Sequence, residues 1–310
     1  MGFFRVRVDG AQGVGGAPVV RRLSDLWRGL LPSSHRGPPT ASESVDPDGI
    51  GGRLTEANQA LLRYQIGARW DMIHRLHALK AAPARLRCAL CDFSAERSAF
   101  REWVTECIFE GGTIVRHECP SCDVIFGSDL MLDLTPEALS REYEWHYQVF
   151  SEGDSTEQEM RAFRALNPEK GKPYVNWGSG AWSSSTARLR DEGWEVFGYE
   201  PHGSAHGGGN HVLTTRAELE QLKPAGIFSN NVLEHFRHPV AALQEMASLL
   251  PAGALMSHAT PCFEYRFEFT RFHLFFYRGK SRAWLAKHAG LDIVDYQVEG
   301  DFMNLVVQTR

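Results

Sequence analysis

At 310 residues, with 43% apolar and 23% charged positions, the chain has room for one large domain and a small one. A net charge of −5 argues against binding nucleic acid by overall electrostatics. No apolar run approaches the ~20 residues needed to span a bilayer. The first residues interleave apolar side chains with charge, unlike a signal-peptide core, so a cytosolic location is expected.

Residues 1–54 are rich in Gly, Pro, Ser and Arg, which bury too little apolar surface to offset ordering entropy. A disordered extension is expected there, with room for a short helix over Leu23–Leu31. The second region, 55–150, begins with helical spacing of Leu61, Leu62, Tyr64, Ile66, Trp70, Ile73, Leu76 and Leu79. It continues through a cysteine-bearing segment to a helix opened by Thr135 and Pro136. The polar stretch 151–172 reads as a linker or a lid.

From Pro173 onward strands and helices alternate. Strands are expected at 174–177, 194–200, 211–214, 225–229 and 254–259, with helices over about 181–192, 216–222 and from Pro239. Ser281 is expected to cap a further helix that stops at Gly290. Two closing strands, Leu291–Glu299 and Phe302–Gln308, flank a Gly300-Asp301 turn. That hairpin places an antiparallel edge on an otherwise parallel α/β sheet. The third region is thus 151–310.

Four of six cysteines form two Cys-x-x-Cys pairs, Cys88/Cys91 and Cys119/Cys122. Four thiolates in two such turns suit a closed, tetrahedral, structural zinc site, against the alternative of four unrelated thiols. His117 and Cys107 are nearby substitutes. Local arginines are interleaved with acids, so a nucleic-acid role for this ribbon is unsupported.

Tyr174-Val175-Asn176-Trp177-Gly178-Ser179-Gly180 reads as a strand running into a glycine turn, and Glu200 ends the next strand. Such a turn lets a ligand approach the main chain, and an acid placed there can accept ribose hydroxyls. Asn231, Glu234 and His235 follow a later strand, where open α/β sheets bind ligands; the alternative is an ordinary helix start. His273, set among aromatics, is either a general base or substrate contact, or a packed core histidine. Phe263, Tyr265, Phe267, Phe269 and Phe272 alternate with polar residues, as on a strand or an apolar wall.

Taken together, these segments resemble the class I S-adenosylmethionine-dependent methyltransferases of bacterial sugar, polysaccharide and natural-product gene clusters, in particular those with an N-terminal zinc ribbon. The resemblance rests on the cysteine pairs with Asp123-Val124-Ile125-Phe126, on Leu139 to Tyr147, and on Val175 to Gly180. It extends to Gly198 to Pro201, Asn231 to His235 and His273 to Phe276. It implies a Rossmann-like seven-stranded sheet whose last hairpin supplies the reversed strand. It further implies that Gly178, Ser179 and Gly180 hold the amino-acid part of S-adenosylmethionine, Glu200 its ribose, and Asn230 and Asn231 its sulfonium end. His235 and His273 become the candidate bases for methylating an oxygen or carbon of a small-molecule or sugar-like acceptor. The sequence departs from the family pattern at Asn176, where an acid is usual, and at Trp182, where a third glycine is usual. Two other readings stand beside this one: a non-catalytic scaffold with an interaction ribbon, and a nicotinamide-dependent oxidoreductase. Ser183, where a dinucleotide fingerprint has its third glycine, disfavours the latter.

Overall fold

A computed structural model describes residues 50–150, 153–180, 183–201, 211–264 and 270–310. The proposed helix at Leu23–Leu31, most of the proposed extension, Trp182, Tyr265, Phe267 and Phe269 lie outside these residues. The described residues form one compact unit.

Helix α1 (Ile50–Ala78) begins inside the segment expected to be extension, its first turn running through Gly51 and Gly52. Trp70 and Ile66 bury one face of α1. After it come β1 (Arg85–Arg87) and β2 (Ser94–Glu96), an antiparallel pair of their own. Next, β3 (Arg101–Glu106), β4 (Thr113–Glu118) and β5 (Ile125–Gly127) form an antiparallel meander. A short α2 (Asp129–Asp133) leads to α3 (Pro136–Tyr147), whose Thr135 cap accepts a hydrogen bond from the Ala138 N–H at 3.2 Å.

The stretch expected to be a linker or lid contains instead a packed helix, α4 (Thr156–Arg164). Its outer face is charged, which hides the short apolar row of Met160, Phe163 and Leu166. Phe163 meets Tyr174 at 5.4 Å and Phe228 at 5.5 Å between ring centres, so α4 covers one face of the main sheet.

That sheet is assembled from β6 (Pro173–Trp177), β7 (Glu195–Tyr199), β8 (Val212–Leu213), β9 (Gly226–Asn230), β10 (Leu255–Ala259), and the later β12 (Leu291–Glu299) and β13 (Phe302–Thr309). Its seven strands run in the order β12-β13-β10-β9-β6-β7-β8. All neighbours pair in parallel except those involving β13, which is antiparallel to both β10 and β12. The expected α/β sheet with a reversed closing hairpin is therefore present. Helices α5 (Ser184–Asp191), α6 (Arg216–Leu222), α7 (Pro239–Ser248) and α8 (Ser281–Ala289) make the crossovers. Strand order reverses between β6 and β9, which opens a crevice at their carboxyl ends.

One connection ties the meander to this sheet. Between β10 and α8 lies β11 (Phe275–Phe276), which pairs antiparallel with β5 and extends the meander to four strands. Arg116, buried on β4, donates from Nη2 to the carbonyls of Thr270 (2.5 Å) and His273 (3.1 Å). Arg271 stacks 3.9 Å over Trp70 of α1 and donates to the Glu110 carbonyl at 2.8 Å. Among the described residues, no helix is long and apolar enough to cross a membrane.

Candidate functional site

Three strand ends converge on the crevice. After β6, Gly178 takes φ +74° and Gly180 φ +69°, the region that favours glycine. A Cβ at 178 would also lie 2.7 Å from Val232 Cγ2, so this position is closed to side chains by contact as well. The Gly178 N–H donates to the Tyr199 carbonyl at 2.9 Å, suspending the turn from β7. Ser179 sits over Gly198 so closely that a Cβ there would be 2.3 Å from its Oγ. Glu200 lies one residue past β7, half-buried, its N–H donating to the Leu213 carbonyl at 3.0 Å.

Asn230 ends β9 and Asn231 turns the chain with φ +54°, a conformation asparagine tolerates better than most residues. Its N–H donates to the Ala259 carbonyl at 2.9 Å. Its Oδ1 is buried without a hydrogen-bond partner among the described residues. A buried acceptor in that state is costly unless a ligand supplies the donor.

Val232, which packs against the glycine turn, also begins the histidine turn: the His235 N–H donates to its carbonyl at 3.1 Å. His235 Nδ1 lies 3.1 Å from the Phe272 carbonyl, which can only accept, so Nδ1 carries the proton. Nε2 therefore presents a lone pair, and it is buried with no hydrogen-bond partner among the described residues. His273 stands edge-on to His235 with ring centres 4.8 Å apart, and its Nδ1 is 3.3 Å from Cys262 Sγ. Glu234 is fully buried; its Oε1 accepts from Thr260 Oγ1 at 2.6 Å, and its carbonyl accepts from the Leu274 N–H at 2.7 Å. One ligand atom from each of Glu234, His235 and His273 lies within 4.8 Å of the others. Burial lowers the His235 pKa to about 4, the Phe272 hydrogen bond opposing it. Burial also holds His273 well below the ordinary value, reinforced by His235 and Arg116. Both imidazoles are therefore neutral near pH 7. Tyr143 of α3 packs edge-on against His235 at 5.6 Å and against Phe272 at 5.2 Å, forming a wall.

The second centre is built from two copies of one turn. In the first, the Asp92 N–H donates to the Cys88 carbonyl (3.1 Å) and the Cys88 N–H to the Phe93 carbonyl (2.8 Å). In the second, Asp123 to Cys119 (2.9 Å) and Cys119 to Val124 (2.9 Å) repeat the pattern. Asp92 and Asp123 both take positive φ, 61° and 66°. The turns face each other with Cys88 and Cys122 sulfurs 3.7 Å apart and those of Cys91 and Cys119 3.7 Å apart. A tetrahedron with zinc–sulfur bonds of ~2.3 Å has edges of ~3.8 Å, so the donor set fits zinc. Hydrogen bonds from Cys122 and then Cys88 pull the Cys119 thiol down to about 2. Hydrogen bonding to Cys119 pushes Cys88 and Cys122 up. His117 is not a member of the thiol group; it contacts Arg97 at 2.9 Å and Asp129 at 3.6 Å.

Several placements differ from expectation. Ser281 is the first residue of α8 and not its cap; its Oγ donates back to the Arg278 carbonyl. Phe263 belongs to a 3-10 turn, Pro261–Phe263, because Pro261 and the Thr260 hydroxyl close a turn where alternation suggested a strand. Thr260 and Cys262, which steady Glu234 and His273, carry no sequence signal beyond lying just past a strand.

Residues 162–296 match a family model described as a methyltransferase domain. Among solved structures, TnmH is 14% identical with a TM-score of 0.41, covering 56% of this chain and 59% of its own. The mitomycin 7-O-methyltransferase MmcR is 12% identical with a TM-score of 0.40, covering 58% and 60%. The CcbJ methyltransferase from Streptomyces caelestis is 14% identical with a TM-score of 0.38, covering 51% and 97%. The chain thus spans about three fifths of the TnmH and MmcR chains. No curated protein matches it.

Proposed function

We propose that this chain is an S-adenosylmethionine-dependent methyltransferase acting on an oxygen or carbon of a small-molecule or sugar-like acceptor. The observation that carries the reading is the convergence at the sheet's switch point. A tight glycine turn, a strand-end acid and a buried, unpartnered Asn231 oxygen meet where such sheets take ligands. The match of 162–296 to a methyltransferase domain supports it.

In this reading the main chain of Gly178, Ser179 and Gly180 holds the donor's amino-acid end. Glu200 accepts the ribose hydroxyls, and Asn230 and Asn231 line the sulfur end. When bound, the donor supplies an electrophilic methyl group on a positively charged sulfur. His235 Nε2 takes the acceptor's proton, with His273 beside it as the alternative acceptor, while Tyr143 and Phe272 exclude water. The rest of the work is positioning. Cys88, Cys91, Cys119 and Cys122 would hold a structural zinc ion. Residues 55–150 form the helix-plus-ribbon part and 151–310 the transferase part, and reduced thiols suit a cytoplasmic setting.

Calorimetric titration of zinc-replete protein with S-adenosylhomocysteine tests the reading. We expect one site per chain and no comparable melting shift with NAD. Folded, zinc-replete protein that takes up neither donor nor donor product is not this enzyme.

A further inference from the structure

The departure at Asn176 is accompanied by a second, unassigned feature. Asn176 is buried on the face of β6 that α4 covers, and its Nδ2 donates to Glu159 Oε2 at 2.8 Å. The same oxygen accepts from Ser183 Oγ at 3.2 Å and from Ser185 Oγ. Glu159 Oε1 accepts from Ser155 Oγ at 2.7 Å. Ser183 in turn caps α5, its Oγ accepting from the Thr186 N–H at 3.1 Å. The carboxylate is therefore wired to the end of β6 and the start of α5, on either side of the glycine turn.

All four of these donors are neutral, and no ion pair neutralises Glu159 among the described residues. The start of α5 offsets part of that charge, as helix N-termini do. What remains is a negative charge beside the turn that, under the proposed function, receives a ligand with a cationic α-ammonium group. An amide at 176 and an acid at 159 also require each other. Two acids at this distance would repel, and two amides would leave the site uncharged.

We propose that Glu159 is the acidic element of the donor turn: its carboxylate, moved from strand β6 to helix α4, positions the turn and favours the donor's α-ammonium group. This rests on the methyl-donor reading. Its function is positioning; the reacting methyl is elsewhere.

The test compares wild type, E159Q, E159D and the double variant E159Q/N176D by calorimetry with two ligands. S-adenosylhomocysteine carries the amino-acid end, and methylthioadenosine lacks it. E159Q is expected to lose about tenfold in affinity for the former, as for one charged hydrogen bond, and less than about twofold for the latter. E159D and the double variant, which keep one carboxylate, are expected to bind S-adenosylhomocysteine within about threefold of wild type. Wild type that binds neither ligand sinks the enzyme reading and this inference together. Wild type that binds while E159Q is unchanged overturns the inference alone. So does equal loss of both ligands in E159Q, or a double variant of normal melting temperature without recovery, since either makes Glu159 a packing residue.

Discussion

The four thiols of the ribbon and the Glu234–His235–His273 cluster both gather ligand atoms within 4.8 Å, but they are built differently. The thiols come from two superposable turns, and each sulfur sits one tetrahedral edge from a partner. The second cluster mixes a buried carboxylate with two neutral imidazoles, each fixed by a different neighbour, and lies beside the crevice. A closed set of identical ligands has nothing left to offer a substrate. A mixed set with a tautomer fixed by one carbonyl has a lone pair to use. On the proposed reading, crowding of ligand atoms alone does not separate the structural centre from the reactive one; symmetry and the surrounding hydrogen bonds do.

The largest effect should come from the ribbon. Cys88→Ser or Cys119→Ser is expected to reduce bound zinc from about one per chain to near zero, because binding energy at such sites is folding energy. Hydrogen exchange should rise at 270–277 as well as in the ribbon, since β5 and Arg116 hold that segment. Full zinc content in either serine variant would break the contrast from that side.

A smaller but more selective effect is expected at His235. His235→Ala should lower turnover by about 10²–10⁴-fold while donor-product affinity stays within about twofold. Metal content should not change. If zinc falls in this variant, the second cluster is itself a metal site and the distinction collapses.

The mildest expectation concerns pH. An ordinary histidine base would lose about three quarters of its unprotonated form at pH 6. With its pKa near 4, His235 should leave turnover flat from pH 8 to 6. Stability runs the other way. Buried His146 and His235 stay neutral in the fold down to about 4, while the unfolded chain takes up protons below about 6.5. The unfolded state then binds more protons, so stability is full above about pH 6.5 and falls by up to about 1.4 kcal/mol per pH unit per histidine towards pH 4. Urea midpoints at pH 7 and pH 5 measure it.

Much of this was readable from the chain because it is local. The strands at Tyr174, Val196 and Ile227 are short apolar runs, and Gly178, Pro239 and Gly290 punctuate them with defined backbone demands. What escaped was amphipathic on a narrow stripe or distant in sequence. Helix α4 sets only Met160, Ala162 and Phe163 among polar and charged residues, too narrow a stripe to mark the segment holding Glu159 as a helix. The β5–β11 ladder joins Ile125 to Phe276, and no periodicity announces a two-residue strand. Cys107 does not join the thiol group, which Cys88, Cys91, Cys119 and Cys122 form by themselves.

The β11 ladder also sets how the protein can be divided at the bench. Asp123, the residue closing the second knuckle, accepts a hydrogen bond from the Lys280 N–H at the head of α8. A fragment trimmed to begin at residue 151 would keep every residue proposed to touch the methyl donor. It would lose the strand partner of Phe275 and Phe276, the arginine that grips His273, and the acid at the start of α8. What remained would carry an apolar strand edge open to other chains. For anyone expressing this protein, the cysteine-bearing segment completes one side of the α/β domain and cannot be discarded as a tag-like appendage.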